Sequence, residues 1–139
     1  MTHMIGHVQN HCYIEPPFYF DDDYNIHLGD NVYVNKHNTW FDIGLFLSTI
    51  TSKIRPNVQL ITVNHPLDPT IRRSGIEQGP KMTIEDDVWI DANVPALRGV
   101  TVHQGATVAA RRIVTRAVPA STDVADNPTK VIRQLNDTL

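Results

Sequence analysis

One periodicity constrains this chain more than any other feature. Counting in sixes from Ile84 gives Ile84, Ile90, Ala96, Val102, Val108 and Val114, all apolar. A second column four residues later holds Val88, Val94, Val100, Ala106, Arg112 and Val118, apolar everywhere but at Arg112. A helix would give spacings of three and four that drift, and a single strand rarely exceeds about ten residues. A coil with short straight sides reproduces the pattern. Gly99 and Gly105, with Asp86, Asp87 and Asn93, fall between the columns, where tight corners need permissive backbone.

The same beat recurs less cleanly upstream, at Leu28, Val34 and Trp40, then at Ile54 and Leu60 after an interruption. Residues 61–83 lose it and carry Pro66, Pro69, Gly75, Gly79 and Pro80, so they read as a loop thrown out of the coil. Loops held on a rigid scaffold are where function concentrates. Beyond Val118 the pattern stops at Pro119, and residues 119–139 are expected to form a short C-terminal cap, a turn followed by a strand or helix. The expectation is one all-β domain over residues 1–139.

The totals bound the function. A formal net charge of -3 argues against a general nucleic-acid binder, which needs a basic face. Cations do gather locally, at Arg98, Arg111, Arg112, Arg116, Lys130 and Arg133. The single cysteine, Cys12, excludes an internal disulfide and fits a reducing compartment. No stretch has the apolar length of a signal peptide or the ~20 residues of a membrane helix, so a cytoplasmic protein without membrane partners is expected.

Four segments carry a family resemblance: YIEPPFYFDDDYNIHLGDNVYVN (Tyr13 to Asn35), PNVQLITVNHPLD (Pro56 to Asp68), TIEDDVWI (Thr83 to Ile90) and NPTKVIRQL (Asn127 to Leu135). In order and spacing they resemble the hexapeptide-repeat sugar O-acetyltransferases of the maltose and galactoside O-acetyltransferase group. The resemblance implies a left-handed parallel β-helix of hexapeptide repeats, assembled as a homotrimer with active sites between subunits. The hand belongs to that implication, because crossovers between parallel strands are otherwise nearly always right-handed.

It also implies a chemistry: an acetyl group moves from acetyl-CoA, the co-substrate, to a hydroxyl of a small sugar acceptor. His65, in the His-Pro loop, matches the general base, and imidazole with its ordinary pKa near 6.5 suits that task. Without the family, a histidine before a proline is an ordinary surface-loop residue. Asn35, Tyr33 and Asp42 match residues lining the acceptor pocket, although Asn and Asp are also plain corner residues. Trp89 matches the residue flanking the pantetheine channel. Thr115, Arg116, Lys130 and Arg133 match groups facing the CoA phosphates, for which their charge is suited. Ala92 and Ala110 match positions whose backbone amides face the cofactor.

The chain departs from the family pattern at particular positions. Asp91, Arg111 and Asp126 stand where small residues are usual along the CoA groove, Arg111 and Asp126 replacing glycines. Ser48 to Lys53 replaces the usual corner, and Arg55 and Arg98 occupy corners normally small or proline. Arg112 and Asn38 fall on inward positions, where an unpartnered polar group costs several kcal/mol. Only MTHMIGHVQNH precedes the matching stretch, and the acceptor site is expected to be correspondingly open. These departures motivate an alternative, a catalytically impaired trimeric scaffold or CoA- or sugar-binding relative. A zinc hydratase is a further alternative, since trimeric β-helices can hold zinc on three histidines. Here His65 and His103 stand alone, no metal ligand is assigned, and only His3, His7 and His11 share a helix-face spacing.

Overall fold

The computed structural model describes residues 6–44, 46–48 and 50–135. The chain winds as a three-faced coil in which each turn lays one short strand on each face. The first turn is β1 (His7–Val8), β2 (Tyr13–Ile14) and β3 (Phe18–Phe20). The second is β4 (Ile26–Leu28), β5 (Tyr33–Val34) and β6 (Asn38–Phe41), and the third is β7 (Phe46–Ser48), β8 (Lys53–Ile54) and β9 (Gln59–Ile61). A loop carrying the single-turn helix α1 (Pro69–Arg72) follows. The coil then resumes with β10 (Met82–Ile84), β11 (Trp89–Ile90), β12 (Pro95–Leu97), β13 (Thr101–Val102) and β14 (Thr107–Val108). It closes with β15 (Thr122–Ala125) and β16 (Lys130–Gln134).

Stacking the turns makes three sheets, parallel throughout except at β16. The first face runs β1-β4-β7-β10-β13, the second β2-β5-β8-β11-β14-β15-β16, and the third β3-β6-β9-β12. The register gives the turn lengths directly. Tyr13 pairs with Tyr33 and Tyr33 with Lys53, steps of 20 residues. Lys53 pairs with Trp89 across the loop, Trp89 with Thr107 after 18 residues, and Thr107 with Asp123 after 16. Eighteen is three sixes, so the regular beat downstream of Ile84 is one uninflated turn after another. The earlier turns insert two residues between Trp40 and Ser48, which is why the beat upstream is ragged.

The inward columns form the core. Leu28, Val34, Trp40, Ile54, Leu60, Ile84, Ile90, Ala96, Val102, Val108 and Val114 are all buried, as are Val88, Val94, Val100 and Ala106 of the second column. Val118 does not continue that second column. It bridges Val102 and so sits in the first, because the last turn is two residues short. Of the two polar intruders, Asn38 stays inside and is satisfied. Its Nδ2 donates to the carbonyls of Asn35 and Arg55 at 2.8 and 3.0 Å, and its Oδ1 accepts from Trp40 Nε1 at 3.2 Å. Arg112 is half-buried, with an Nε out of solvent and no partner among the described residues.

The corners explain the scarcity of glycine. Asn31, Thr51, Asp87, Gly105 and Ser121 all have left-handed backbone, as do His37, Asn57, Asn93 and Arg111. These runs lie at successive corners, and short polar side chains take most of the places glycine would. Arg111 and Asp126 have positive φ values of 61° and 76°, the left-handed region that glycine adopts most readily. His7 lies in β1 and His11 at a left-handed corner, so the histidine spacing near the N-terminus is not a helix face; His3 lies outside the described residues. Cys12 is half-buried, its thiol donating to the Gly29 carbonyl at 2.8 Å. The C-terminal segment takes the strand form. β16 turns back antiparallel to β15 at the end of the second face, with Val131 and Ile132 50% and 55% exposed. Among the described residues no helix is long and apolar enough to cross a membrane.

Candidate functional site

Two edges of the coil carry the chemistry-bearing residues, and the third face lies between them. At the edge between the second and third faces, each residue following a second-face strand donates its amide to the next turn. Glu15 bonds Val34, Asn35 bonds Ile54, Arg55 bonds Ile90 and Asp91 bonds Val108. These four residues therefore stack in one column. On the adjoining second face the outward residues Tyr13, Tyr33, Lys53, Trp89 and Thr107 stack in another.

Tyr13 and Tyr33 lie ring on ring, with centroids 5.7 Å apart and 15° between planes. The Tyr33 hydroxyl donates to Glu15 Oε1 at 2.6 Å. That bond uses the phenolic proton and so pushes the Tyr33 pKa above its ordinary value; desolvation and the Glu15 charge add to the rise, and Arg55 opposes it. Asn35 accepts the Lys36 amide on Oδ1 at 2.9 Å, and its NH2 group has no partner among the described residues. Beside these groups opens a cleft of about 530 Å³ lined by Thr51, Lys53, Arg55, Asp87, Trp89 and Thr107. Trp89 is 46% exposed, with its face available to a ligand rather than packed away.

The edge between the third and first faces carries His65. Its loop leaves the coil after Thr62, whose buried Oγ1 donates to the Phe41 carbonyl at 2.6 Å and accepts the Gly44 amide at 2.8 Å. Asn64 and Gln78 then pair antiparallel through both backbone bonds, at 2.7 and 3.0 Å, and close the neck of the loop. His65 stands just beyond that neck with its side chain 53% exposed and Nε2 3.9 Å from Glu77 Oε1. Farther out, Asp68 caps α1 and Arg72 Nη1 bonds the carbonyls of Pro66 and Leu67, which stiffens the His-Pro segment.

Asp42 belongs to the His65 edge, where it holds backbone. It is 1% exposed, and Oδ1 accepts the amides of Asp21 and Asp22, both at 3.0 Å. Its Oδ2 is buried as well and has no partner among the described residues, so the carboxylate anchors this corner through one oxygen only. Asp21 carries a pKa raised first by desolvation and then by Asp42, Asp22 and Glu77.

No family model matches the chain. Individual proteins do. It is 39% identical over 124 residues to a putative acetyltransferase of Schizosaccharomyces pombe, covering 89% of this chain and 60% of that one. Against a galactoside acetyltransferase in complex with coenzyme A the TM-score is 0.94 at 34% identity, covering 98% of this chain and 68% of that one. Against a hexapeptide-repeat acetyltransferase of Vibrio cholerae O1 biovar eltor, complexed with acetyl coenzyme A, it is 0.92 at 31% identity, covering 98% and 74%. The chain belongs to the hexapeptide-repeat acetyltransferases. Its coil is the left-handed β-helix of that family, and it spans about 60 to 70% of the length of curated relatives.

Within one acetyltransferase chain the expected site residues separate into groups. Trp89 lines the second-face cleft, and Tyr33 and Asn35 stand one turn away, next to its lining residues Lys53 and Arg55, with Ala92 and Ala110 on the adjoining edge. Ala92 donates its amide to Asp91 Oδ1 at 2.7 Å, so the Asp91 carboxylate folds onto its own corner. Arg116 and Lys130 are brought together in a smaller cleft of about 280 Å³ near the end of the coil, and Thr115 lies next to it in sequence. Arg133 bonds Asp123 through Nε at 2.8 Å and compensates that largely buried carboxylate. His65 stands on the far edge, across the third face from Asn35. Sequence reading missed Glu15 and Lys53, whose neighbours become visible only once the 20-residue turn is known, and Glu77, which the closing of the loop brings near His65. No group of three His, Cys, Asp or Glu among the described residues is placed to hold a metal ion.

Proposed function

We propose that the protein transfers an acetyl group from acetyl-CoA to a hydroxyl of a sugar or related small acceptor, with His65 as general base. One observation carries this reading: an exposed histidine is fixed at the neck of a loop on one edge, while Tyr33, Asn35 and Trp89 gather at another. A second copy of the chain, packed edge to edge, would unite the two halves. We accordingly propose a homotrimer with its sites between chains, in the cytoplasm. The relatives bound to CoA and acetyl-CoA support the choice of acyl donor.

In the reaction, neutral His65 accepts the proton of the acceptor hydroxyl as its oxygen attacks the thioester carbonyl. The carbon–sulfur bond breaks, the acetyl group stays on the acceptor as an ester, and the CoA sulfur leaves with the proton returned by the imidazolium. No acyl-enzyme forms. A positioned general base contributes about 10²–10⁴-fold, so His65→Ala is expected to lower acetyl-CoA consumption with a panel of sugars by that factor. Equal rates for the two proteins would sink the assignment. Light scattering is expected to give three times the 15.7 kDa chain mass.

A further inference from the structure

We propose that the acceptor of this protein is anionic, a sugar or polyol bearing a carboxylate or phosphate, and that Lys53 and Arg55 hold its charge in the second-face cleft. The inference rests on the acetyl-transfer reading above and goes beyond it, because nothing in that reading requires a charged acceptor.

The argument is one of placement. Lys53 is in register between Tyr33 and Trp89, and Arg55 stands between Asn35 and Asp91 in the neighbouring column. Adjacent strands lie about 4.8 Å apart, so the two cations fill the gap between the acceptor-side pair, Tyr33 and Asn35, and the tryptophan. Both line the same cleft of about 530 Å³. Neither is spent on an ion pair among the described residues, although carboxylates are near. Glu15 accepts from the Tyr33 hydroxyl, and Asp91 accepts from the Ala92 amide. Asp87 is the one acid lining the cleft, and it leaves the pocket with an excess positive charge in a chain whose net charge is -3.

A guanidinium offers a carboxylate or phosphate a two-pronged hydrogen bond, and the Lys53 ammonium on the adjoining second face adds a point charge. The Tyr33 hydroxyl, with its proton given to Glu15, has only lone pairs left for an acceptor hydroxyl. Together these groups describe a ligand with an anionic group at one end and hydroxyl donors at the other.

The test compares galactose with galacturonic acid and with galactose 6-phosphate, on the wild type and on a Lys53→Ala/Arg55→Ala variant. Both side chains are exposed, so the variant is expected to fold, and an unchanged far-UV spectrum checks this. Hydrogen bonds to charged groups support a preference of at least about tenfold in kcat/KM for an anionic acceptor, falling toward unity in the variant and in high salt. Calorimetric affinity for CoA is measured in parallel. Equal use of neutral and anionic sugars by the wild type overturns the proposal. So does a variant that loses CoA affinity instead, since the two cations would then serve the phosphates of the co-substrate. Calorimetric binding of the anionic sugar, lost in the variant but without turnover in either protein, would uphold the cleft and refute the acetyl-transfer reading.

Discussion

Tyr33 shows how much a single corner can impose on a side chain. Its hydroxyl is tied to Glu15 at 2.6 Å, and that bond favours the neutral phenol. Any stability the bond contributes is therefore present below the ordinary tyrosine pKa of 10.0 and lost as pH rises through the higher value of the folded state. Glu15→Gln is expected to bring the Tyr33 titration back toward 10.0, read as the tyrosinate absorbance of the variant against the parent. An unchanged titration would show that the hydrogen bond is not what holds the proton. Asp21 is shifted in the same direction, a carboxylate whose charged form the fold disfavours through desolvation and the nearby Asp42, Asp22 and Glu77. Its raised pKa means that its stabilising contribution is complete below 3.8 and is lost as pH rises through the folded value, so at pH 7 it is a liability. Asp21→Asn should raise the melting temperature at pH 7 and leave it nearly unchanged in strong acid. A variant that melts no higher than its parent at pH 7 would contradict the assignment.

Among the elements, the edge between the third and first faces is the one place where the coil changes its count. Val8, Ile14 and Phe20, like Leu28, Val34 and Trp40, step by six, yet Phe20 to Leu28 and Trp40 to Ser48 step by eight. Leu60 to Ile84 spans the whole His65 loop, Ala96 to Val102 is six again, and Val114 to Val118 is four. The loop is an enlarged version of a corner that is already the variable one. Its return leg depends on two glycines: a Cβ on Gly44 would stand 2.1 Å from the Gly79 carbonyl oxygen, and one on Gly79 would stand 2.3 Å from the Gly44 amide nitrogen. Backbone must move to admit either. Gly79→Ala is expected to cost about 1–3 kcal/mol and to lower turnover by more than the loss of folded protein explains, because Gln78, next to Gly79, pairs with Asn64, next to His65. A chemical melt with a turnover assay on the same sample separates the two effects. This geometry also says what was legible beforehand. Columns of one residue type every six places mark straight sides, so the core from Ile84 to Val114 could be read off, as could the loop by its prolines. Turn length could not, since nothing in Lys53 or Glu15 announces a neighbour 20 residues away. Val118 was misplaced for the same reason. The anchoring contacts of Asp42 were not legible either, because an anchoring carboxylate and a ligand-binding one have the same sequence, and only the structure shows its Oδ1 against the Asp21 and Asp22 amides.

For the whole molecule, the separation of His65 from Asn35 makes a demand that no single-chain reading shares. A β-helix is too stiff for its edges to meet, because every turn is bonded to the next through all three faces. If a site is built from the His65 edge of one chain and the Asn35 edge of the next, two inactive variants should rescue each other. A cyclic trimer that contains both His65→Ala and Asn35→Ala chains has about one interface in three that joins an intact His65 to an intact Asn35. Co-expressed variants carrying different affinity tags, purified through both, are therefore expected to recover a substantial fraction of wild-type turnover, while each variant alone stays low. Before purification through the tags, recovery also depends on the mixing ratio, falling toward zero as either chain predominates, which distinguishes shared sites from a contaminating wild-type enzyme. Mixed trimers with no more activity than the better parent would place both residues in one chain's site, and the loop carrying His65 would then have to reach back across the third face to meet the second-face cleft.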